Sequence, residues 1–364
     1  MSLRCALLYG GKSGEHEVSL QSAASVFRNI DRSRFEPILI GIAKSGRWYL
    51  QPQSIHEAGV VPDTALDIIE DPSQTVDCRP GVGLFCNGEQ LQLDVVFPVL
   101  HGSLGEDGTV QGLLEVVELP YVGAGVLGSS VGMDKDLVKQ LWRAHGIPTL
   151  DSLTASAVEL ASNAKRKAFI TRCMETFGPQ LFVKPARTGS SVGITKTHSP
   201  DEIEPAVQNA LKYDTKVLIE PARPVREIEI SVIGNGEPYA FPPGEVIPSH
   251  EFYDYDAKYL DPDGAQLIVP AHLDSTVMEK ARAIAEAAYS AAACEGMARV
   301  DLFLLQDTHE LVVNEINTIP GFTRISMFPR MCSAAGLSYS ELITRLIDLA
   351  RERETIRASL RYER

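Results

Sequence analysis

Residues 296–327 read GMARVDLFLLQDTHELVVNEINTIPGFTRISM. Two alternating runs flank a polar stretch. In the first, Arg299, Asp301 and Phe303 alternate with Val300, Leu302 and Leu304; in the second, Leu311, Val313, Glu315 and Asn317 alternate with Val312, Asn314 and Ile316. Strand side chains repeat every two residues, so each run has one apolar face and one face that carries chemistry. The five residues Gln306–Glu310 are polar and suit a hairpin loop. Antiparallel pairing brings Asp301 near Glu315 and Asn317, with Arg299 beside them. Two close carboxylates repel unless a cation sits between them or one is protonated. Mg²⁺ suits such oxygen ligands, because it takes one or two protein carboxylates and completes its shell with water and phosphates. Asp301, Glu315 and Asn317 are therefore candidate metal ligands. The Pro320-Gly321 turn that follows exposes backbone N–H groups beside them. The bland alternative is a hairpin with solvated acids on its outer face.

The bulk properties bound the rest. A chain of 364 residues, 44% hydrophobic and 23% charged, suits a globular protein of two or three domains. A net charge of −14 argues against a broad nucleic-acid surface, so an anionic substrate would need locally concentrated Lys and Arg. No apolar run is long enough to span a bilayer. Leu3–Tyr9 is short and soon followed by Glu15, unlike a signal peptide. The six cysteines are scattered without a CxxC, as expected of thiols in a reducing compartment, and the cytoplasm is the expected location.

Outward from the hairpin, Leu3–Tyr9 reads as a strand, Gly10-Gly11 as a loop and Glu15–Asn29 as a helix. Glu15 stands where an acid complements a helix dipole. Gly11-Lys12-Ser13 fails as a Walker loop because position 6 is Ala6. Residues 43–93 read as a surface elaboration, with short strands at 48–50 and 82–85. Asp94–Val99 is a buried strand, and His101 follows its carboxyl end, where open α/β sheets bind ligands; it contacts substrate or caps the turn. Gly123–Gly128 matches GxGxxG but lacks the strand-terminal acid of a dinucleotide site, and suits a domain crossover better. The periodicity predicts helices over 130–145 and 157–176. Ser162 and Lys165 form an SxxK without the partner motifs of a penicillin-binding enzyme.

Residues 181–194 read as a strand, a small-residue loop and a second strand. Lys184 ends a buried run, where a lone ammonium is costly and a phosphate would satisfy it. The Gly and Ser residues after it would let backbone N–H groups close over phosphates. Glu220 ends the strand 216–220 before a Pro-containing linker, at the expected hinge of a nucleotide cleft. Residues 252–259, too polar for a core and too aromatic for a linker, suit a lid.

Seven segments together resemble the D-alanine–D-alanine ligases of the ATP-grasp superfamily: GGKSGEHEVSL at 10–20, HGSLGEDGTVQG at 101–112, MDK at 133–135, VKPARTGSSVG at 183–193, FYDYDAKY at 252–259, RVDLF at 299–303 and NEINTIPGFT at 314–323. The resemblance covers nearly the whole chain. It implies the α/β class in the α+β ATP-grasp form, with an N-terminal open sheet (1–123), a central ATP-grasp domain (124–220) and a C-terminal one with metal site and lid (221–364). It implies that Lys135 and Lys184 bind ATP phosphates and that Glu220 and Glu227 hold adenine and ribose. Asp301, Glu315 and Asn317 would hold Mg²⁺, with Mn²⁺ as a substitute. Glu15 would bind the first D-alanine's ammonium in a set with Ser190 and Tyr259. Lys258 would reach the γ-phosphate and Ser326 the second D-alanine's carboxylate. Arg299 and the Gly321 N–H would form an oxyanion hole. A homodimer that binds only small molecules and feeds peptidoglycan synthesis is also implied. A nicotinamide oxidoreductase would leave the 301/315/317 set unexplained, and a non-catalytic nucleotide binder would not need Arg299. The nearer rival is a ligase that joins D-alanine to D-lactate.

Overall fold

Leu3–Gly10 is apolar on both faces, as a strand between parallel neighbours must be. In the structure, a computed structural model that describes residues 2–52, 65–248 and 265–361, it is strand β1. Helix α1 (His16–Asn29), β2 (Phe35–Ile42) and β3 (Trp48–Leu50) follow. Next come β4 (Val76–Arg79), β5 (Gly83–Cys86) and β6 (Glu89–Gln90), a small antiparallel sheet of their own, and then β7 (Val95–Val99). The first sheet has the order β3-β2-β1-β7, with β1 parallel to β2 and to β7. The loops after β1 and β7 therefore leave the same edge, at the carboxyl ends of the strands.

After α2 (Thr109–Val116), the expected single helix over 130–145 is two: α3 (Val126–Met133) and α4 (Lys135–Ala144). Asp134 breaks them apart in an extended conformation, and its carboxylate accepts the N–H groups of Asp136 and Leu137 at 3.1 Å each. An N-cap acid satisfies donors that a through-running helix would bond to the previous turn. Gly128 lets α3 lie against the backbone near Ala293, where a Cβ would stand 2.5 Å from the carbonyl oxygen. The GxGxxG pattern thus serves close packing. The helix expected over 157–176 starts later, as α5 (Asn163–Phe177), after β8 (Leu153–Ser156). Ser162 caps it by accepting the Lys165 N–H, so the SxxK spacing is a capping pattern.

Strand β9 (Leu181–Pro185), β10 (Thr195–Thr197), α6 (Pro200–Ala210) and β11 (Lys216–Pro221) complete a second, antiparallel sheet of order β10-β9-β11-β8. Its core, which includes Cys173, Val183, Ile203 and Val217, is separate from the others. The third sheet comprises β12 (Val225–Gly234), β13 (Tyr239–Ala240), β14 (Gly244–Pro248) and β15 (Ala265–Ile268), then, after α7 (Ser275–Ala291), β16 (Gly296–Leu305) and β17 (Leu311–Asn317). Its order is β15-β14-β12-β16-β17, with β13 beside β12. The hairpin loop falls on Gln306–Glu310, as the polar run predicts. Helices α3, α4 and α7 cover one face of this sheet, where Trp142 is fully buried and donates to the Ala288 carbonyl at 2.9 Å.

Helices α8 (Met327–Ala334) and α9 (Tyr339–Ala358) close the chain. They share one core with the first sheet: Leu7, Phe97 and Val99 pack in the same cluster as Phe328, Leu346 and Ile347. Phe322 is fully buried in it, edge-on to Phe97 at 5.6 Å between ring centroids. The Pro320-Gly321 turn is therefore anchored by the next residue in the chain.

Three charged side chains are buried where α4 meets the second sheet. Lys139 Nζ lies 2.5 Å from Glu220 Oε1, and Lys184 Nζ 2.7 Å from Glu220 Oε2. The partner of Lys184 here is a carboxylate. The reason is register: Lys184 stands opposite Leu218, two residues from Glu220 on the adjacent strand. Burial alone would raise the Glu220 carboxyl, but Lys139 and Lys184 overturn this and hold it at about 2 against an ordinary 4.5. A depressed carboxyl contributes stability that is present above the unfolded value and is lost as pH falls through the folded one. Glu220→Gln leaves both ammoniums without a charge partner and should cost about 3 kcal/mol near neutrality. The stability gap between wild type and this variant should shrink as pH falls from 4.5 towards 2. Urea unfolding across that range measures it; a gap that stays constant contradicts the ion pairing.

Candidate active site

A cleft of about 570 Å³ opens between the second and third sheets, with Lys135, Lys184, Glu220 and Glu227 among its walls and Asp301 and Glu315 at the hairpin. Antiparallel register brings these last two together. Asp301 pairs across the strands with Glu315, and Arg299 with Asn317. Asn317 Nδ2 donates to Asp301 Oδ2 at 3.0 Å. The alternation that predicted a shared face is thus realised, with a local irregularity after Asp301.

Arg299 lies on the same face and forks Asp301 with two bonds of 2.7 and 2.6 Å. It also lies 3.1 Å from Glu229. Burial works against its charge, but Asp301 and Glu229 more than offset this and hold the guanidinium protonated. Glu229, across the strands from Asp301, is a site residue that the sequence analysis passed over. Its signal was available: it stands two residues after Glu227, on the same strand face.

Lys135 is the first residue of α4, which Asp134 starts. Its Nζ donates to the Thr188 carbonyl at 2.9 Å and lies 3.1 Å from Glu315 Oε2. The ammonium thus joins the small-residue loop to the hairpin. In that loop Ser190 and Ser191 adopt left-handed backbone angles, φ 45° and 60°. Ser190 Oγ donates to Glu15, which puts two of the three expected members of that set in contact. Glu15 is the N-cap residue of α1, yet its side chain makes no capping bond. It is turned instead into a space bounded by Gly102, where a Cβ would stand 2.2 Å from Glu15 Oε2. Gly102 also has φ +70°, so two separate reasons require glycine there. Lys258, Tyr259 and the expected lid at 252–259 lie outside the described residues.

The loop after β7 clamps the loop after β17. His101 Nδ1 lies 3.0 Å from the Ile319 carbonyl, which can only accept, so Nδ1 carries the proton. Nε2 then accepts from Ser22 Oγ at 3.1 Å, and that same oxygen accepts the Phe322 N–H at 3.3 Å. Burial lowers the His101 pKa and keeps the ring neutral. Both of its nitrogens are engaged in holding the turn. Glu106, absent from the expected set, accepts the Gly102 N–H at 2.8 Å and the Ile319 N–H at 3.1 Å. Burial, and then Glu15, push its carboxyl up to about 8. Gly321 is held between these fixed neighbours. Beyond it, Ser326 Oγ accepts the Thr323 N–H at 3.1 Å, and Ser326 is the N-cap of α8. A helix start that carries a hydroxyl suits a carboxylate.

The cleft thus gathers Lys135, Lys184, Arg299, Asp301 and Glu315, and the Glu15–Ser190 contact lies beside it. Comparison with known proteins identifies the family. The family model described as "D-ala D-ala ligase N-terminus" matches residues 4–124, and that described as "D-ala D-ala ligase C-terminus" matches residues 141–348. A D-alanine–D-alanine ligase of Treponema denticola is 44% identical over 96% of this chain and 96% of its own. D-alanine–D-alanine ligase A of Bradyrhizobium diazoefficiens is 46% identical over 98% and 97%. The solved D-alanine–D-alanine ligase of Coxiella burnetii superposes with a TM-score of 0.84 at 36% identity, covering 98% of this chain and 96% of that one. The VanG D-Ala:D-Ser ligase of Enterococcus faecalis does so at 0.82 and 34%, covering 96% and 100%. By sequence, by fold and by the chemistry brought to its cleft, the chain belongs to the D-alanine–D-alanine ligase family.

Proposed function

We propose that this chain joins two molecules of D-alanine into D-alanyl-D-alanine, at the cost of one ATP converted to ADP and phosphate. The observation that carries this reading is the Asp301/Glu315/Asn317 face, flanked by Lys135 and Arg299, at one cleft. A carboxylate oxygen of the first D-alanine attacks the γ-phosphorus and ADP leaves. The amine of the second, as it loses its proton, attacks the acyl carbon and phosphate leaves. Both reactants of the first step are anions, so cations must offset their repulsion. Lys135 and Lys184 would do so, joined by Lys258. Glu220 and Glu227 hold the adenine and ribose ends.

The donor set fits a divalent cation of the hard class: two carboxylates paired across strands and an amide, all oxygen donors. Asp301, Glu315 and Asn317 would hold Mg²⁺, or Mn²⁺ in its place; when bound, the ion neutralises phosphate charge and orients the γ-phosphate. Glu15 receives the first D-alanine's ammonium, with Ser190 and Tyr259 fixing its orientation. Ser326 and the start of α8 receive the second carboxylate. The Gly321 N–H, in a turn held by Glu106 and His101, and Arg299 face the developing oxyanion. We assign His101 to holding this turn and so to the substrate's surroundings. The acyl phosphate is readily hydrolysed, which favours closure by residues 252–259. A cytoplasmic homodimer that supplies peptidoglycan precursors is the setting consistent with this activity.

Glu315→Gln should lower kcat roughly 10²-fold while leaving the melting temperature nearly unchanged. Phosphate release from ATP at limiting Mg²⁺ measures it, and near-normal turnover would remove Glu315 from the metal site.

Similarity to a D-Ala:D-Ser ligase makes D-serine the rival second substrate to include beside D-lactate. An amine must lose a proton before attack, whereas a hydroxy acid carries no ammonium, so dipeptide formation should rise with pH. With equal D-alanine, D-serine and D-lactate, D-alanyl-D-alanine should exceed the other products about tenfold at mildly alkaline pH. Separation of products across roughly pH 6 to 9 tests this. Predominant depsipeptide at neutral pH rejects the assignment in favour of a D-lactate ligase.

A further inference from the structure

Two ammoniums converge on one carboxylate at the wall of the cleft. Lys139 and Glu220 are each 1% exposed as side chains, and Lys184 is 8% exposed. Taking a charge out of water is costly, and one lysine already neutralises one glutamate. A second buried cation adds cost without adding a partner for its charge. The two lysines are not equivalent. Lys184 and Glu220 line the cleft, whereas Lys139 stands behind Glu220 on α4, one turn after Lys135. Residues four apart share a helix face, so a single face delivers one ammonium to Glu315 and another to Glu220. Lys139 cannot reach a ligand in the cleft except through the carboxylate it holds.

We infer that Lys139 is a positioning residue for the nucleotide: it keeps Glu220 charged and in place, so that Lys184 can leave Glu220 for a phosphate of ATP. The inference rests on the reading of Lys184 and Glu220 as nucleotide-binding residues. With nucleotide bound, Lys184 exchanges one anion for another, and Glu220 keeps Lys139 as its counter-ion. Without Lys139, that exchange would leave Glu220 buried and uncompensated. Glu220 would therefore retain Lys184, and the phosphates would lose a charge-assisted hydrogen bond.

The experiment is a cycle of variants with a separate measurement of nucleotide binding. Lys139→Met preserves the length of the side chain and removes its charge. It should weaken binding of the ATP analogue AMP-PNP, measured by calorimetry with Mg²⁺, about tenfold. The KM for ATP should rise by a similar factor, while the KM for D-alanine changes less than about twofold. In the Glu220→Gln background the carboxylate that would retain Lys184 is gone, and Lys139→Met should then change AMP-PNP binding less than about twofold. A merely structural lysine would give the same loss in both backgrounds, and that result overturns the inference. A crystal structure of the wild-type protein with AMP-PNP and Mg²⁺ tests it without any variant. Lys184 is expected on a phosphate oxygen with Lys139 still on Glu220; Lys184 still on Glu220 overturns it. Wild-type protein that binds no AMP-PNP would refute the nucleotide reading itself. Wild-type protein that binds it, with Lys139→Met unchanged, refutes only the role of Lys139.

Discussion

The pairing of Asp301 with Glu315 across β16 and β17 is the constraint around which the structure is arranged. Two carboxylates that close cannot both stay ionised without cations nearby. The fold brings cations from two directions. Arg299 comes from the same strand and forks Asp301, and Lys135 comes from the start of α4 and reaches Glu315. The break at Asp134 makes Lys135 the first residue of α4, and from there its ammonium reaches Glu315.

The loop after β17 is fixed from two sides. The turn is held from the N-terminal side by Glu106, His101 and Ser22 and from inside the core by Phe322. The loops of the first sheet therefore hold the turn that contains Gly321, and one of them also carries Glu15. This accounts for the core that the first sheet shares with α8 and α9.

Much of this was legible in the sequence because it is local. Alternation gave the two hairpin strands, their polar loop and the shared face of Asp301, Glu315 and Asn317. The family's motifs added the fold. What escaped has a common cause, which is dependence on partners distant in the chain. The helical pattern runs through Asp134 without interruption, and only its cap geometry and its bond to Lys216 reveal a boundary there. The contact of Lys184 with Glu220 was hidden because Glu220 is 36 residues away and joins it only through the register of β9 and β11. Glu106 was hidden because a Glu between two glycine-rich turns reads as solvated, whereas its oxygens bind one N–H nearby and another from a distant loop.

The second sheet has a core of its own, and its seam with the rest of the molecule is largely polar. Lys139 meets Glu220, Lys216 meets Asp134 and Asp136, and Lys135 meets Thr188 across it. A small apolar cluster of Leu150, Leu305 and Val312, with Val225 and Phe303 beside it, lies near the crossing strands. Interdigitated methyl groups resist sliding because any shift opens voids. Ion pairs at the end of long, rotatable stems can follow a moving partner through several degrees of rotation. The second sheet thus meets the rest of the molecule through charged side chains on long stems, one backbone bond from Lys135 to Ala186 and a small apolar cluster nearby. Such a seam tolerates small shifts that a seam of interlocked methyl groups would not.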